Sequence, residues 1–465
     1  MTMHDYRSIL KPVRRRKSAY PREAVEEYYS DRSRIIFSSA FRRLLQKAQV
    51  FPLDRNASVR TRMTHTLEVA DVGKTLALKV GEGLVKEKII PSELLISFIT
   101  IAENACLLHD VGNPPFGHFG EEAIRRWFSK NWKDAASESG IDACKLEILV
   151  KDLLSFDGNP QGLRIIMRLL CENDEFGLNL SLPTLLSCIK YPKSPEHAAG
   201  IHGKKPGFFL TESKIVSAMW REIEWPENTR YPIAYIMEAA DDICYCLSDI
   251  ADAFEKRMIR SEEFKKAFVE RWERLFPNEQ HKMSVPTTDI DYFGMQISVS
   301  WSKEFVKEAT DRYLINHEEI WKGTLPELID KSGKGRVLKV LKEISRDKIY
   351  RAPAVQSIEL AGFRAIFGLL DHFAPLLRMK REDFAYFVSQ DQMRAHSGFD
   401  LEWRLYNRLA KKYVRSYNYQ LGEQDTDDAK EWVLRAHLIV DHISGMTDNY
   451  ALYEYQVLHG ISTNE

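Results

Sequence analysis

A helix-breaking segment near residue 110 limits how this chain can fold. Apolar residues from about Leu94 predict a helix that ends at the adjacent pair His109 and Asp110. Two glycines and two prolines then prevent the helix from continuing, and they are Gly112, Pro114, Pro115 and Gly117. The break predicts that His118 lies on a tight loop just beyond the pair. A loop with histidines, an aspartate and few solubilising side chains is typical of the wall of a site.

Two other predicted helices carry residues of the same ligand types. His65 lies near the start of a stretch with apolar residues at helical spacing, and Asp241 lies within a helix predicted over residues 232–256. Each residue alone is weak evidence, because a single histidine on a helix is usually structural and a lone aspartate usually faces solvent. A His–Asp pair can also simply cap a helix. Four ligand-type residues in the order H…HD…D instead favour a shared metal site.

This order resembles the HD-domain phosphohydrolases, in which two histidines and two aspartates bind a divalent metal. Longer motifs are similar to those of the bacterial deoxyguanosine-triphosphate triphosphohydrolases. These motifs are Phe41–Leu44 with Lys47–Phe51, Arg62 with His65, the loop from Gly112 to His118, Lys204–Gly207, Glu238–Asp242 and Ile443–Asp448. The resemblance runs from about Arg32 to the C-terminus. It implies an all-α fold with an HD-type helical core and a helical C-terminal extension.

The resemblance also implies a role for individual residues. The implied ligands of a divalent cation, Mg²⁺ or Mn²⁺, are His65, His109, Asp110 and Asp241. His118, oriented by Glu121 three residues later, would transfer a proton at the reacting phosphate. The implied substrate-binding residues are Gln49, Val50, Arg62, Asn159, Lys190, Tyr191, Tyr245, Asp249, Tyr350, Glu359 and Arg404.

These substrate-binding residues divide by the part of the nucleotide that each would contact. Gln49 and Asp249 would bind the sugar 3′-hydroxyl, and the ring of Tyr245 would occupy the space of a 2′-hydroxyl. Val50, Tyr350 and Glu359 would lie at the base. The triphosphate would meet Lys190 with its neighbour Tyr191, and Arg404, which is expected to act across a subunit interface. The spacing of Arg394 to Arg404 departs from the family pattern.

The helix predicted over residues 232–256 carries a geometric argument of its own. Asp241, Tyr245 and Asp249 are four residues apart, so they stay near one face and rise about 6 Å per step. They can therefore line one wall of a site. Asp242 points about 100° away from that wall, and a structural hydrogen bond or ion pair is the preferred interpretation for it.

The overall composition excludes several classes of partner. A net charge of −1 over 465 residues gives no bulk attraction to nucleic acid or membrane. No apolar run approaches the roughly 20 residues that span a bilayer, and residues 1–20 lack the apolar core of a signal peptide. Six cysteines without a CxxC pair predict reduced thiols,. We expect a cytoplasmic protein with no membrane partner.

Three segments are expected along the chain. Residues 1–30 are predicted to be a flexible basic N-terminal segment, residues 31–260 the HD-type catalytic core, and residues 261–465 a helical region that completes the nucleotide pocket. The basic run Arg14–Lys17 is interpreted as a mobile solubilising tail in preference to an anion-binding arm. The stretch between Tyr191 and Phe209 is predicted to be a flexible loop.

The predicted activity is metal-dependent hydrolysis of dGTP, or of other deoxynucleoside triphosphates, to a deoxynucleoside and inorganic triphosphate. Two alternatives stay open. One is an HD-domain phosphohydrolase that acts on nucleoside monophosphates or cyclic nucleotides, and the other is a non-catalytic sensor that binds nucleotides or single-stranded DNA. The resemblance also implies a homo-oligomer, either a hexamer or a tetramer, and allows single-stranded DNA as an effector.

Overall fold

Helices form the regular secondary structure in the described part of this computed structural model, which confirms the all-α prediction. The structure describes residues 5–461 apart from 21, 55, 172–173, 198–204, 278, 281–282, 284–292, 330–332, 390–397 and 424–425. The first helices are α1 (Tyr6–Ile9), α2 (Ala24–Phe37), α3 (Ser39–Arg43), α4 (Arg62–Lys86), α5 (Leu95–Leu108), α6 (Gly117–Glu138), α7 (Lys151–Leu154), α8 (Gly158–Arg164), α9 (Leu182–Ser187) and α10 (Ser213–Glu222).

The second half of the chain is helical in the same way. Its helices are α11 (Pro232–Glu255), α12 (Ser261–Leu275), α13 (Phe293–Ile315), α14 (His317–Trp321), α15 (Gly335–Ser345), α16 (Pro353–Arg378), α17 (Arg381–Ser389), α18 (Asp400–Arg408), α19 (Lys411–Leu421), α20 (Asp428–Ser444) and α21 (Asp448–Leu458). A single π-helical turn, Arg346–Tyr350, separates α15 from α16. The predicted loop around residues 284–292 lies outside the described residues.

Helices α4, α5 and α11 pack against one another in all three pairs and form the centre of the fold. Small residues allow their backbones to approach closely. A Cβ added to Gly73 of α4 would lie 2.3 Å from the sulfur of Cys106 on α5 and 3.5 Å from Cβ of Ala240 on α11. Since the three helices carry His65, the end of α5 and Asp241, this packing brings the predicted ligands to one place.

The C-terminal helices pack directly on this core. Helix α16 lies against α6, α20 and α21, while α13 lies against α4 and α11. The guanidinium of Arg164 on α8 pairs with Asp441 on α20 at 2.9 Å, with both side chains buried. A buried ion pair of this kind requires its two partners to be placed accurately. The proposed boundary between residues 260 and 261 stays a prediction.

The N-terminal segment packs against the rest of the protein, so the interpretation of its basic run as a mobile tail is wrong for Arg14. The Arg14 guanidinium is buried, 2.6 Å from Asp31 and 2.7 Å from Glu27. It also donates to the backbone oxygen of Asn179. Further upstream, Tyr6 and Ile9 are buried in the hydrophobic core. The carboxylate partners compensate the burial of this charge.

Helix α16 is, among the described helices, the one with the length and apolar composition to cross a membrane. Polar residues interrupt its apolar run, so the helix does not contain the roughly 20 uninterrupted apolar residues used as the sequence criterion. Half of its apolar window is buried inside the protein, where it packs against α6, α20 and α21. A core helix of a soluble protein meets the same criterion.

Candidate active site

The four predicted metal ligands converge at one end of the α4–α5–α11 core. Oδ1 of Asp241 lies 3.6 Å from Nε2 of His65 and 3.6 Å from Nε2 of His109. Oδ1 of Asp110 lies 3.7 Å from Nε2 of His109. One ligand atom each from His65, His109 and Asp110 can be chosen so that all lie within 4.8 Å of one another. These separations suit four groups that surround one cation.

The hydrogen bonds of the two histidines leave lone pairs free for a cation. Nδ1 of His109 is 2.7 Å from the backbone oxygen of Cys106, and since a carbonyl only accepts, Nδ1 carries the proton and Nε2 the lone pair. Nε2 of His109 and both ring nitrogens of His65 are buried with no hydrogen-bond partner among the described residues. Such atoms are costly unless a ligand satisfies them. The donor set therefore fits a divalent metal.

Basic side chains hold the two carboxylates in their ionised form. Arg62 donates to Oδ2 of Asp110 at 2.9 Å, and Nζ of Lys190 lies 3.5 Å from Oδ2 of Asp241. Burial by itself would raise the pKa of Asp110, but Arg62 and the two imidazoles outweigh it and lower that pKa. Burial opposes ionisation of Asp241 as well, and His109 and Lys190 overcome it, so its pKa is also lowered.

His118 lies in the first turn of α6 and not on a loop, which corrects the sequence prediction. Phe116 and Gly117 adopt left-handed φ angles of 60° and 55°, and this sharp turn restarts the helix immediately before His118. Nδ1 of His118 lies 2.9 Å from Oε2 of Glu121, which is i+3 on the same helix. The His118 side chain is 69% exposed and the Glu121 side chain 2% exposed. A buried carboxylate thus orients an accessible imidazole, as predicted.

The metal-ligand cluster and His118 open into one cavity of about 920 Å³. This volume is suited to a ligand the size of a nucleotide. The predicted residues that line it are Gln49, Val50, Arg62, His109, Asp110, His118, Glu121, Asn159, Lys190, Tyr191, Asp241, Tyr245, Tyr350 and Glu359. These residues come from segments up to about 300 positions apart in the chain, and the fold brings them to one cavity.

Comparisons with known proteins agree with this geometry. A model of the HD domain family matches residues 62–150, a range that includes His65, His109 and Asp110 but ends before Asp241. Deoxyguanosinetriphosphate triphosphohydrolases of Serratia proteamaculans and Yersinia pseudotuberculosis are each 35% identical to the chain. The alignments cover 94% of this chain in both cases, and 96% and 94% of those proteins. The chain belongs to the deoxyguanosinetriphosphate triphosphohydrolase family.

In this family member, hydrogen bonds connect Tyr245 and Asp249 on α11 with Tyr350 in the π-helical turn before α16. The Tyr350 hydroxyl donates to Asp249 and lies 2.8 Å from the Tyr245 hydroxyl. Oδ1 of Asp249 and Oε1 of Gln49 are buried and unpartnered within the described residues. Burial raises the pKa of Asp249 to about 7. This hydrogen bond connects Asp249, which is predicted to bind the sugar, with Tyr350, which is predicted to lie at the base.

Two other predicted residues, Asn159 and Glu359, also line the cavity. The Asn159 amide donates to Asp157 at 2.5 Å at the start of α8. Glu359 lies on the cavity wall, and burial raises its pKa, with His118 acting in the opposite direction. Asp242 forms the expected ion pair, 3.2 Å from Nζ of Lys342. The pair agrees with the interpretation of Asp242 as an ion-pair partner, although Asp242 also lines the cavity.

Arg404 does not reach the cavity of its own chain. It lies on α18 with a side chain that is 73% exposed, 3.8 Å from Asp400. Arg394 falls outside the described residues, as does the part of the predicted flexible loop at 198–204. The predicted contact of Arg404 with the triphosphate is thus not made within a single chain of this structure, and it stays a prediction.

Two lysines of the cavity were missed as site residues. Nζ of Lys205 lies 2.6 Å from Asp157, and Lys342 lies beside Asp242. The Lys-Lys-Pro-Gly motif at residues 204–207 was a signal for Lys205. Nothing near Lys342 in the sequence indicates its role, because its partner is 100 residues away. Both lysines add positive charge to a cavity proposed to hold a polyphosphate.

Proposed function

We propose that the chain hydrolyses dGTP to deoxyguanosine and inorganic triphosphate. One observation carries this proposal: the cluster of His65, His109, Asp110 and Asp241 opens into the same 920 Å³ cavity as the His118–Glu121 pair and the Tyr245 wall. The cavity thus combines a cation site, a proton-transfer group and a polar wall. The identity of the substrate, dGTP, is inferred from the names of the relatives.

The proposed chemistry takes place where the cation site meets His118. A bound divalent cation would acidify a water molecule and offset the charge that grows on the phosphoryl oxygens. Lys190 would pair with the phosphate oxygens next to Asp241. Glu121 accepts a hydrogen bond from the Nδ1–H group of His118, which leaves Nε2 free to exchange a proton with the attacking water or the departing 5′-oxygen.

The proposed sugar site uses two unpartnered oxygens, one of Gln49, which lines the cavity, and one of Asp249, which accepts a hydrogen bond from Tyr350 in the cavity wall. The 3′-hydroxyl would donate to Asp249 or Gln49 and satisfy a buried acceptor that is otherwise unpaired. The ring of Tyr245, held by the Tyr350 hydroxyl, would fill the space that a 2′-hydroxyl needs. A buried hydroxyl without a partner costs about 1–3 kcal/mol. Deoxyribose is therefore the expected sugar.

The proposed cation is Mn²⁺ or Mg²⁺. Carboxylate oxygens suit both ions, and the two imidazole ligands favour Mn²⁺ of the two. The proposal also includes cytoplasmic location and assembly into a tetramer or hexamer, in which the exposed Arg404 of one subunit contacts the triphosphate bound by the next. Single-stranded DNA remains a proposed effector.

A product assay separates this proposal from its alternatives. The purified protein is incubated with dGTP, GTP, dGMP and a cyclic nucleotide in buffer with controlled Mn²⁺, and the phosphate products are resolved. Release of tripolyphosphate from dGTP supports the proposal, whereas orthophosphate from dGMP or opening of the cyclic nucleotide supports another HD phosphohydrolase. Absence of turnover with retained binding supports a sensor.

The Asp110→Ala variant tests the ligand set in the same assay. It should abolish turnover and weaken Mn²⁺ binding measured by calorimetry, because one carboxylate ligand is lost and Arg62 loses its partner. The matched control is Asp134→Ala, an exposed aspartate on α6, which should leave both quantities unchanged. Retention of more than a few per cent of the wild-type rate in Asp110→Ala would contradict the metal assignment.

A further inference from the structure

One buried carboxylate that is not among the predicted metal ligands holds two separate segments of the cavity wall. Asp448, the first residue of α21, is 3% exposed. Its Oδ2 accepts from the backbone nitrogen of Ala48 at 2.8 Å, and its Oδ1 accepts from the backbone nitrogen of Phe116 at 3.0 Å. Backbone amides are strong donors to an ionised carboxylate. A residue near the C-terminus thus fixes two segments that lie 68 positions apart.

The two segments lead directly into the proposed reacting groups. Ala48 precedes Gln49 and Val50, which line the cavity. Phe116 has the left-handed φ of 60° that begins the turn before His118. A displacement of either amide therefore moves the sugar-contacting oxygen or the proton-transfer imidazole. Ala48 and Phe116 also line the cavity, but neither side chain is assigned a part in the reaction proposed above.

A buried lysine strengthens the same junction. Nζ of Lys47 donates to the backbone oxygen of Asn113 at 2.5 Å and to that of Ser444 at 2.9 Å. The Asn113 side chain donates to Asp110, one of the predicted metal ligands. Lys47 and Asp448 carry opposite charges on adjacent segments. The loop of residues 109–118 is thus tied to the C-terminal helices at two points, Asn113 and Phe116.

We propose that Asp448 is a positioning residue that sets the distance between the sugar-contacting Gln49 and the proton-transfer group His118. The proposal rests on the function proposed above for those two residues. Through its two oxygens, one carboxylate couples recognition of the sugar to placement of His118 at the α-phosphate. The reacting phosphorus of the nucleotide would then lie beside His118 only while Asp448 binds the backbone amides of both Ala48 and Phe116.

The Asp448→Asn variant breaks this coupling with a minimal change of shape. An amide has one acceptor oxygen, so it can bind the nitrogen of Ala48 or that of Phe116, while its NH₂ group faces the other N–H as a second donor. At least one of the two segments, at Ala48 or at Phe116, therefore loses its hydrogen bond to residue 448. Because small misplacements of reacting groups are costly, we expect kcat to fall about 10- to 100-fold.

A matched control removes the same type of contact elsewhere. Asp152 is fully buried and accepts from the backbone nitrogens of Leu210 at 2.6 Å and Thr211 at 3.2 Å. It does not line the cavity. Asp152→Asn should destabilise the fold in a similar way, and a general loss of stability is thereby separated from an effect on the site.

The first measurement is hydrogen exchange in the metal-free and nucleotide-free protein. In Asp448→Asn, exchange should accelerate in residues 47–51 or 113–118, beyond any change in Asp152→Asn. Unchanged exchange in both segments would overturn the proposal, whatever the substrate. If Asp448→Asn does not fold, the wild-type protein still decides: the amides of Ala48 and Phe116 should both exchange slowly, and fast exchange of either overturns the proposal.

The second measurement compares dGTP with 2′,3′-dideoxy-GTP, which lacks the 3′-hydroxyl. The wild-type ratio of kcat/KM for the two nucleotides should fall at least about threefold in Asp448→Asn, because a displaced Gln49 contributes less to discrimination. The ratio should be unchanged in Asp152→Asn. Equal ratios in wild type and Asp448→Asn would overturn the positioning role. Accelerated exchange in Asp448→Asn, together with a wild-type protein that hydrolyses no nucleotide, would refute the proposed function and leave the structural coupling supported.

Discussion

The contact between His118 and Glu121 offers a sharp test of the proposed proton transfer. Glu121 is buried, and its two oxygens are used separately: Oε2 accepts from Nδ1 of His118 at 2.9 Å and Oε1 from the backbone nitrogen of Gly158 at 2.8 Å. In Glu121→Gln, the remaining oxygen can keep the Gly158 contact. The new NH₂ group then faces Nδ1 of His118 and cannot accept from it.

This substitution changes both the charge and the tautomer of the histidine. With a donor opposite Nδ1, the neutral imidazole holds its proton on Nε2, so Nε2 can no longer accept one. The imidazolium form also loses its carboxylate partner. Hydrogen bonds to charged groups contribute about 1.5–3 kcal/mol, which corresponds to a decrease in kcat of roughly 10- to 150-fold. KM should change little, because the oxygens of Glu121 are occupied by His118 and Gly158.

Steady-state kinetics of tripolyphosphate release from dGTP measure the effect. Glu122→Gln is the matched control, since the neighbouring Glu122 pairs instead with Arg125 and Arg126 on the surface of α6. It should keep the wild-type kcat. A kcat in Glu121→Gln within twofold of wild type would show that this contact does not orient the reacting imidazole. A rise in KM with unchanged kcat would place Glu121 in substrate binding.

Three further substitutions test other parts of the cavity. Tyr245→Ala should reduce the ratio of kcat/KM for dGTP to that for GTP by about tenfold. If the wild-type protein hydrolyses the two nucleotides at equal rates, the Tyr245 ring does not exclude a 2′-hydroxyl. Glu359→Gln should reduce turnover of dGTP more than that of dATP, because a carboxylate accepts from both N1 and N2 of guanine; wild-type rates within about threefold for all four dNTPs would exclude this role. Asp249→Asn should change how stability depends on pH. Burial raises the folded pKa of Asp249 to about 7, so the wild-type unfolding free energy should fall by up to ~1.4 kcal/mol per pH unit from about pH 4 to pH 7, and urea titrations should show a smaller decrease in the variant.

Local patterns in the sequence were sufficient to predict the ligand-bearing helices. Helical periodicity placed His65 near the start of α4 and Asp241 in the middle of α11, and α11 has close to the predicted ends. The spacing of Asp241, Tyr245 and Asp249 predicted one wall because a helix has a fixed rise per residue. The roles along that wall came from the family resemblance and remain proposals.

The return to helix at Gly117 could not be predicted from the same patterns. Proline and glycine residues show where a helix stops, but prolines are also compatible with the turns that precede a new helix. Whether His118 lies on a loop or in a first turn depends on the left-handed angles at Phe116 and Gly117. The neighbouring Asp448 contact supports that conformation from a segment 332 residues away.

Ion-pair partners that lie far apart in the sequence could not be predicted either. The basic run that contains Arg14 has the composition of a solvated tail, and only the fold brings Asp31 and Glu27 to its guanidinium. Lys342 likewise acquires its place in the cavity from the packing of α15 against α11. In both cases the decisive neighbour lies on a helix outside the segment that carries the basic residue, so local composition carries no information about it.

The position of water attack tests the central claim most directly. Hydrolysis of dGTP in ¹⁸O-labelled water with Mn²⁺, followed by mass spectrometry of both products, shows which bond is broken. A cation site and His118 at the α-phosphate predict one ¹⁸O atom in the tripolyphosphate and none in deoxyguanosine. Label in the 5′-hydroxyl of deoxyguanosine, or release of labelled orthophosphate in place of tripolyphosphate, would contradict the proposed arrangement of the site.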